Sequence, residues 1–192
     1  MEKQRCPWAK GELDIQYHDQ VWGKPVFDDR KLFEMIILEG MQAGLSWSTI
    51  LKKRENMRAA FDDFDPYVIA QYDEEKKQTL LLDSGIIRNR AKINALVGNA
   101  QGFLKILQEK GSFSQYLWEF VDHQPIVSQW TEPSQVPAKS EISDRMSKAL
   151  LAYGFKFVGA TICYAFMQAV GMVNDHMVWC HQYDQCKGNN KA

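Results

Sequence analysis

The sequence predicts an all-α protein. Apolar residues recur at spacings of three and four along most of the chain, which is the period of a helix that buries one face. Serine and aspartate, which favour helix N-termini, stand in front of several of these stretches. No succession of segments alternates between apolar and polar residues, so we expect no β-sheet. The 192 residues suffice for one domain, or for one domain with two helical lobes around a central cleft.

Cap residues and apolar repeats locate the helices in order along the chain. Asp28 precedes the first predicted helix, which ends near Gly40, and Ser46 precedes the second. Asp65 is a cap followed by a proline at the first helical position. The remaining predictions are helices over 88–107 and 113–121, a loop with three prolines over 125–140, a helix from Ser143 to Tyr153, and a last long helix over 159–170.

Charge and composition restrict the classes of protein that the chain can represent. With 23 basic and 24 acidic residues the net charge is −1, so any nucleic-acid contact must come from a local basic strip. No apolar secretory signal precedes Cys6. The most apolar stretch, 157–173, is short for a membrane span and contains Gln168 and two glycines. We therefore expect a cytoplasmic protein without a membrane partner, whose four cysteines bind metal or remain free thiols.

Two cysteines and two histidines form a candidate metal site. His176 and Cys180 are four positions apart and would share one face of a helix, while Cys6 and His18 could supply the other half. Two sulfurs and two imidazoles make a closed zinc shell. Two unrelated buried cysteines and two unrelated histidines would explain the same residues, and His181 and Cys186 are further candidates, so the residues alone leave the site open.

A short turn between two glycines is a candidate contact for DNA. Gly154 and Gly159 bracket Lys156 between two predicted helices, and glycine lets the helices fold back tightly. The free N–H groups that begin the second helix can hold a phosphate. An ordinary αα-hairpin without a ligand is the commoner object. Further basic residues could contact phosphates but are more typical of solvated helix faces: Lys52, Lys53, Arg54, Arg88, Arg90 and Lys92.

Glu39 and an aromatic set form the last candidate site. Glu39 stands at the end of an apolar helical stretch, where a carboxylate is costly without a partner or a role. Aromatic faces are the surfaces on which a flipped base stacks, and the aromatic candidates are Trp8, Tyr17, Trp22 and Trp47. A tryptophan-rich core with Glu39 at an exposed helix end is the alternative.

Taken together, these residues resemble the 3-methyladenine DNA glycosylase I family. The resemblance runs from Cys6 to about Cys180. It implies a helix-hairpin-helix DNA glycosylase fold over 1–192 and hydrolysis of the N-glycosidic bond of 3-methyladenine in double-stranded DNA, with the free base as product. The matching stretches are Tyr17-His-Asp-Gln-Val-Trp-Gly23, Leu38-Glu-Gly-Met-Gln-Ala-Gly-Leu-Ser-Trp47, Gly85-Ile-Ile-Arg88, Gly154-Phe-Lys-Phe-Val-Gly159 and Val173-Asn-Asp-His176.

The same resemblance implies roles for the pocket residues. Glu39 matches the family's base-reading carboxylate and is the candidate catalytic residue, Tyr17 its hydrogen-bonding tyrosine and Trp47 its stacking tryptophan. Trp8 and Trp22 match the remaining pocket walls. In a departure from the family, Asp14 stands where a second pocket tyrosine is frequent, which bears on the shape of that wall.

The metal and DNA contacts follow from the resemblance in the same way. One structural Zn²⁺ per chain would join the N- and C-terminal segments through Cys6, His18, His176 and Cys180, with no open coordination position. Gly44 and Leu45 match the plug that enters the vacated base stack, and Gly154, Lys156 and Gly159 match the DNA-binding hairpin. Asp175 could assist the chemistry, although support of the metal is the stronger expectation next to His176.

The expected enzyme is monofunctional and monomeric. Adenine methylated at N3 in DNA is a cation and already an activated leaving group, so a general acid is unnecessary. The sequence offers no convincing lysine nucleophile, and we expect no strand cleavage. The rival hypotheses are a non-catalytic helix-hairpin-helix DNA-binding module and a zinc hydrolase with three protein ligands and a water.

Overall fold

The computed structural model describes residues 3–187, which are mostly helical as predicted. The α-helices are α1 Glu12–Gln20, α2 Asp29–Gln42, α3 Trp47–Ala60, α4 Pro66–Ile69, α5 Glu74–Leu82, α6 Arg90–Lys110, α7 Phe113–Trp118, α8 Glu141–Ala152 and α9 Ala160–Ala169. Two strands of two residues each, β1 Ile126–Val127 and β2 Val173–Asn174, pair in parallel. This pair contradicts the expectation of no β-sheet, because strands of two residues are too short to show an alternating pattern. It ties the loop after α7 to the segment after α9.

Three of the predicted caps are confirmed by their hydrogen bonds. Asp28 accepts from the backbone N–H of Lys31, and Ser46 accepts from that of Thr49. Asp65 accepts from the two N–H groups after Pro66. Each side chain satisfies amide groups that a helix N-terminus leaves without an intrahelical partner.

The predicted start of α8 at Ser143 is wrong. The N-cap is Ser140, whose hydroxyl accepts from the backbone N–H of Ser143. The Ser143 hydroxyl accepts in turn from the backbone N–H of Ser140 at 2.9 Å. Both serines belong to one reciprocal cap, and the second lies inside the helix.

The core forms around α2, which contacts α3, α6, α7 and α9. All ten residues from Leu32 to Met41 are buried, because helices cover α2 on several sides. Glu39 belongs to this run and is carried into the interior with it. The long helix α6 also contacts α4, α5 and α7, while α8 packs against α9. Within residues 3–187, no helix combines the length and apolarity needed to cross a bilayer.

Candidate active site and metal cluster

A cavity of about 350 Å³ opens beside the C-terminal end of α2. All five residues predicted for the pocket line it: Trp8, Tyr17, Trp22, Glu39 and Trp47. They come from the N-terminal segment, from α1 and the turn after it, from α2 and from the start of α3. The other lining residues are Cys6, Pro7, Gln42, Pro133, Val136, Ala165, Gln168, Asp175 and Met177. The pocket therefore joins both ends of the described chain.

Glu39 is buried in this pocket, and no residue of the described chain pairs with it. Its exposed fraction is 5%, which excludes the alternative of an exposed helix end. Its carboxyl group makes no hydrogen bond or ion pair with any residue in the described range. Burial raises the pKa of Glu39 to about 8, because a buried carboxylate loses its hydration. Near neutral pH the group is therefore mostly protonated, and its oxygens are available to a ligand.

The aromatic residues form the remaining walls around Glu39. The rings of Tyr17 and Trp47 lie 5.1 Å apart, and those of Trp8 and Trp22 lie 5.1 Å apart at 72°. The Tyr17 hydroxyl has only a weak contact, with the sulfur of Met35 at 4.0 Å. Burial, and then the nearby Glu39, raise the pKa of Tyr17, so its hydroxyl keeps its proton. The pocket thus combines apolar ring faces with polar groups, the Glu39 carboxyl and the Tyr17 hydroxyl among them, that no strong bond within residues 3–187 occupies.

Asp175 forms another part of the wall and accepts four hydrogen bonds. Its Oδ1 accepts from Ser128 at 2.6 Å and from Trp130 at 2.8 Å, and its Oδ2 accepts from Tyr164 at 2.7 Å and from Gln168 at 2.8 Å. None of these donors is a cysteine or histidine of the candidate metal set. The expectation that Asp175 supports the metal is therefore wrong.

The hydrogen bonds of Asp175 instead hold the proline-rich loop against the pocket. Ser128 and Trp130 belong to this loop, and its residues Pro133 and Val136 line the cavity. Neither Pro133 nor Val136 was among the predicted pocket residues, and Gln168 stood out in the sequence only as a polar residue in an apolar stretch. The positions of Pro133 and Val136 depend on how the proline-rich loop folds, and the sequence of a loop offers no periodic signal.

The four residues of the candidate metal set meet at one buried point. The possible ligand atoms of Cys6, His18, His176 and Cys180 all lie within 4.8 Å of one another. Cys180 Sγ is 3.4 Å from His18 Nε2 and 3.5 Å from His176 Nδ1, and Cys6 Sγ is 3.6 Å from His176 Nδ1. Zinc bonds of about 2.3 Å to sulfur and about 2.0–2.1 Å to nitrogen, at tetrahedral angles, place sulfur and nitrogen about 3.5 Å apart. The donor set fits such an ion.

Groups around the cluster orient both imidazole rings. His18 Nδ1 lies 2.8 Å from a carboxylate oxygen of Asp19, which Arg5 also contacts. His176 Nε2 lies 3.3 Å from the backbone oxygen of Trp22. In each ring the nitrogen that faces away from the cluster therefore has an acceptor, as is typical of histidines that bind metals.

The structure separates the two spare candidates from this cluster. His181 Nδ1 bonds the backbone oxygen of Gln4 at 2.8 Å, and Cys186 is buried outside the cluster. The premise that His176 and Cys180 share a helical face is wrong, because the chain between them forms turns beyond the end of α9. The spacing suited a helix, but a compact turn also brings two residues four apart together.

Two further segments carry the residues predicted to contact DNA. Gly44 has a positive φ of 79° in the connection from α2 to α3, and the Leu45 side chain is 42% exposed. Gly154 has a positive φ of 92° in the turn from α8 to α9. The Lys156 side chain is exposed. Gly159 is the N-cap of α9 and supplies no side-chain cap, so the first amide groups of this helix have no acceptor within residues 3–187.

The structure modifies three other sequence interpretations. Asp14 accepts a hydrogen bond from Ser48 at 2.9 Å and does not line the pocket. Arg54 is paired with the buried Glu34 at 2.8 Å. Lys92 is buried instead of lying on a solvated helix face, with an exposed fraction of 6%.

Comparisons with known proteins agree on one family. Residues 8–183 match a family model described as methyladenine glycosylase. DNA-3-methyladenine glycosylase 1 of Escherichia coli strain K12 is 54% identical over 181 residues, which cover 94% of this chain and 97% of the relative. A crystal structure of 3-methyladenine DNA glycosylase I superposes with a TM-score of 0.91 at 53% identity, covering 93% of this chain and 98% of the other.

A second solved structure bears on the ligand. A tyrosine-to-phenylalanine variant of 3-methyladenine DNA glycosylase I, in complex with 3-methyladenine, superposes with a TM-score of 0.89 at 38% identity. The match covers 91% of this chain and 94% of that chain.

Proposed function

The chain belongs to the methyladenine glycosylase family, and we propose that it hydrolyses the N-glycosidic bond of 3-methyladenine in alkylated double-stranded DNA. The reaction releases the base and leaves an abasic site. The observation that carries this function is Glu39, a buried carboxyl group among aromatic walls that has no partner within residues 3–187. A cavity of about 350 Å³ is of the size that small-molecule pockets have in proteins.

Selectivity for the damaged base follows from the burial of Glu39. Ionising this group beside a neutral adenine is costly, because the pocket removes its hydration. A cationic 3-methyladenine offsets that cost, lowers the pKa of Glu39 and pairs with the carboxylate that forms. The methyl group alone discriminates weakly, by about 1–3 kcal/mol. Charge therefore supplies the remaining preference for the lesion over normal adenine.

The aromatic side chains hold the extracted base. Trp47 provides a face for stacking, and a cation over a tryptophan ring is stabilised by about 0.5–2 kcal/mol. Tyr17 offers a hydroxyl to the base edge, while Trp8 and Trp22 close the opposite side and exclude water. Because the base must leave the duplex stack to reach these residues, the enzyme acts on a flipped nucleotide.

The chemical step needs little proton transfer to the base. The bond between C1′ and the base nitrogen breaks, its electron pair neutralises the cationic base, and a water oxygen bonds to C1′ and loses a proton. Glu39 faces the departing base, and its carboxylate also stabilises positive charge that develops on the sugar. No lysine is among the described residues that line the pocket, which supports hydrolysis by water without strand cleavage.

DNA docking is assigned to two loops in a helix-hairpin-helix arrangement. The turn from Gly154 to Gly159 leads into the free amide groups of α9, which suit a DNA phosphate, and Lys156 adds positive charge. Gly44 and Leu45 form an exposed tip between α2 and α3, and Leu45 is the apolar wedge that replaces the flipped base. Both loops belong to one glycosylase domain over 1–192.

One structural Zn²⁺ is assigned to the cluster of Cys6, His18, His176 and Cys180. When bound, the ion ties the N-terminal segment to the turns after α9, and both segments line the base pocket. Four protein ligands leave no coordination position for a reacting water. This set therefore argues against a zinc hydrolase acting on a small metabolite.

A base-release assay tests the proposed function. The purified protein is incubated with duplex DNA that carries 3-methyladenine, and the released bases are separated by chromatography. We expect free 3-methyladenine and abasic sites without strand breaks. A protein that binds this DNA but releases no base would be the non-catalytic DNA-binding module, and the proposal would be wrong.

A further inference from the structure

Lys92 is a buried cation that binds the end of α2. Its Nζ donates to the backbone oxygens of Met41 and Ala43, at 2.8 and 2.7 Å. The last turn of α2 contains no basic residue, so the cation that complements this helix C-terminus comes from α6. Burying an ammonium group is costly unless its donors are used. Here they fix the last turn of α2 and the start of the wedge loop, residues 43–46.

Asn99 lies two helical turns further along α6 and binds the other DNA-contacting segment. Its Oδ1 accepts from the backbone N–H of Lys156 at 2.7 Å, and its Nδ2 donates to the backbone oxygen of Lys156 at 3.2 Å. These two bonds fix both the position and the orientation of one residue in the hairpin turn, residues 154–159. Residues seven apart share a helix face, so one side of α6 binds both loops.

Close packing connects the same three segments. A Cβ atom on Gly102 of α6 would lie 2.7 Å from the backbone oxygen of Tyr153, which shows how closely the chain before the turn approaches α6. A Cβ atom on Gly40 would lie 3.2 Å from the Cβ and the backbone oxygen of Phe157. The last turn of α2, which leads into the wedge loop, and the hairpin turn therefore pack closely against each other as well as against α6.

We propose that Lys92 and Asn99 are positioning residues that hold the wedge loop and the hairpin turn at a fixed spacing, so that both engage one lesion-containing duplex together. The inference rests on the proposed function. Neither residue lines the base pocket, and both act through the backbone of the loops they bind. Lys92 and Asn99 therefore contribute to excision from the duplex, which both loops must contact. They do not contribute to binding of the free base.

The variant Lys92→Met tests the two hydrogen bonds from Lys92 to the end of α2. Methionine keeps the length and the apolar stem of lysine but donates no hydrogen bond. We expect excision of 3-methyladenine from duplex DNA to fall by about tenfold or more, since small displacements of positioning groups reduce rates strongly. Free 3-methyladenine, titrated by tryptophan fluorescence, should bind within about twofold of the parent, because no pocket group is changed. Lys105→Met, an exposed position on the same helix, is the control for charge and should leave both quantities unchanged.

A double-mutant cycle with Leu45→Ala separates positioning from general stability. If Lys92 acts through the wedge, Lys92→Met should change duplex excision by less than about twofold once Leu45 is truncated. Equal effects of Lys92→Met in both backgrounds would overturn the proposal, as would an equal loss of free-base binding and excision. Asn99→Leu, which removes the hairpin bonds, is measured in the same way and decides the question if Lys92→Met fails to fold. Base release by the parent protein tests the proposed function separately, so an active parent with unaffected variants refutes only this inference.

Discussion

The side chain of Asn99 occupies both backbone groups of Lys156, at 2.7 Å to its N–H and 3.2 Å to its oxygen. The amide of Lys156 is therefore not available to a DNA phosphate. The available donors lie at the start of α9, after Gly159, where no side chain caps the helix. This relationship leaves the N-terminus of α9, and not the backbone of Lys156, as the expected phosphate site.

Gly159→Val should weaken DNA binding without unfolding the protein. A Cβ atom at Gly159 meets nothing within 4 Å, and the φ of −59° is accessible to valine. The side chain would stand in front of the amide groups that meet a phosphate. We expect the affinity for duplex DNA to fall by about tenfold, or about 1.4 kcal/mol.

The loss should be the same for damaged and undamaged duplexes, because backbone contacts carry no sequence information. Fluorescence anisotropy with both duplexes measures it. Gly11→Val, at the uncapped N-terminus of α1, is the matched control and should bind as the parent does. If Gly159→Val binds both duplexes normally, the hairpin interpretation is wrong.

Glu39→Gln and Trp47→Ala should separate charge from stacking in the pocket. Free 3-methyladenine is neutral in its stable form, so its binding reports on hydrogen bonds and stacking. Excision from DNA also reports on charge. Glutamine resembles the protonated carboxyl group, so Glu39→Gln should reduce excision by about a hundredfold, or about 2.7 kcal/mol, and free-base binding by less.

Trp47→Ala should reduce both quantities, because each of them requires the stacking face. Circular dichroism checks that the variants fold. A folded Glu39→Gln protein that excises 3-methyladenine at the parental rate would remove Glu39 from the mechanism.

The burial of Glu39 predicts a specific dependence of stability on pH. Its pKa rises from 4.5 to about 8 on folding, so the folded state holds this proton more tightly than the unfolded state does. The stabilisation is complete below about pH 4.5 and is lost as the pH rises towards 8 and beyond. At about 1.4 kcal/mol per pH unit, the loss reaches at most about 5 kcal/mol.

Glu39→Gln removes this titration. The variant should therefore gain stability relative to the parent as the pH increases from 5 to 9, as measured by thermal unfolding without DNA or base. A constant difference in Tm across this range would show that Glu39 titrates normally in the folded protein.

Metal analysis and two cysteine variants test the zinc site. Protein purified without chelator should contain one zinc per chain, because three sulfur–nitrogen distances in the cluster, 3.4, 3.5 and 3.6 Å, match those of a tetrahedral zinc site. Cys180→Ser should lose the ion and much of the folding free energy that its binding supplies. Cys163→Ser changes another buried cysteine, outside the cluster, and should retain the metal. Absence of zinc from the parent protein would contradict the assignment.

Asp175→Asn should destabilise the pocket wall while leaving zinc in place. All four partners of Asp175 are donors, so an amide NH₂ at this position would face a donor and leave polar groups unsatisfied. Such a loss costs about 1–3 kcal/mol. Chemical denaturation and metal analysis of the same sample measure both effects. Loss of zinc from the variant would return Asp175 to the metal site.

The sequence by itself determined most of the helices and the chemistry of the site. Local signals suffice for the helices, because Asp28, Ser46 and Asp65 cap them by accepting hydrogen bonds from N–H groups only two or three residues away. The pocket and metal residues follow from their types and from family motifs that span nearly the whole chain. The helices α1 and α5 were missed because neither repeats apolar residues clearly.

Only the tertiary structure decided which environment each of these groups has. Glu39 has a raised pKa because neighbouring helices surround α2, and Lys92 is a buried tether because the end of α2 lies against α6. Cys6 and His176 are 170 positions apart, and their meeting depends on the path of the whole chain. Burial, pKa and long-range hydrogen bonds depend on what surrounds a residue, and residues distant in sequence supply those surroundings.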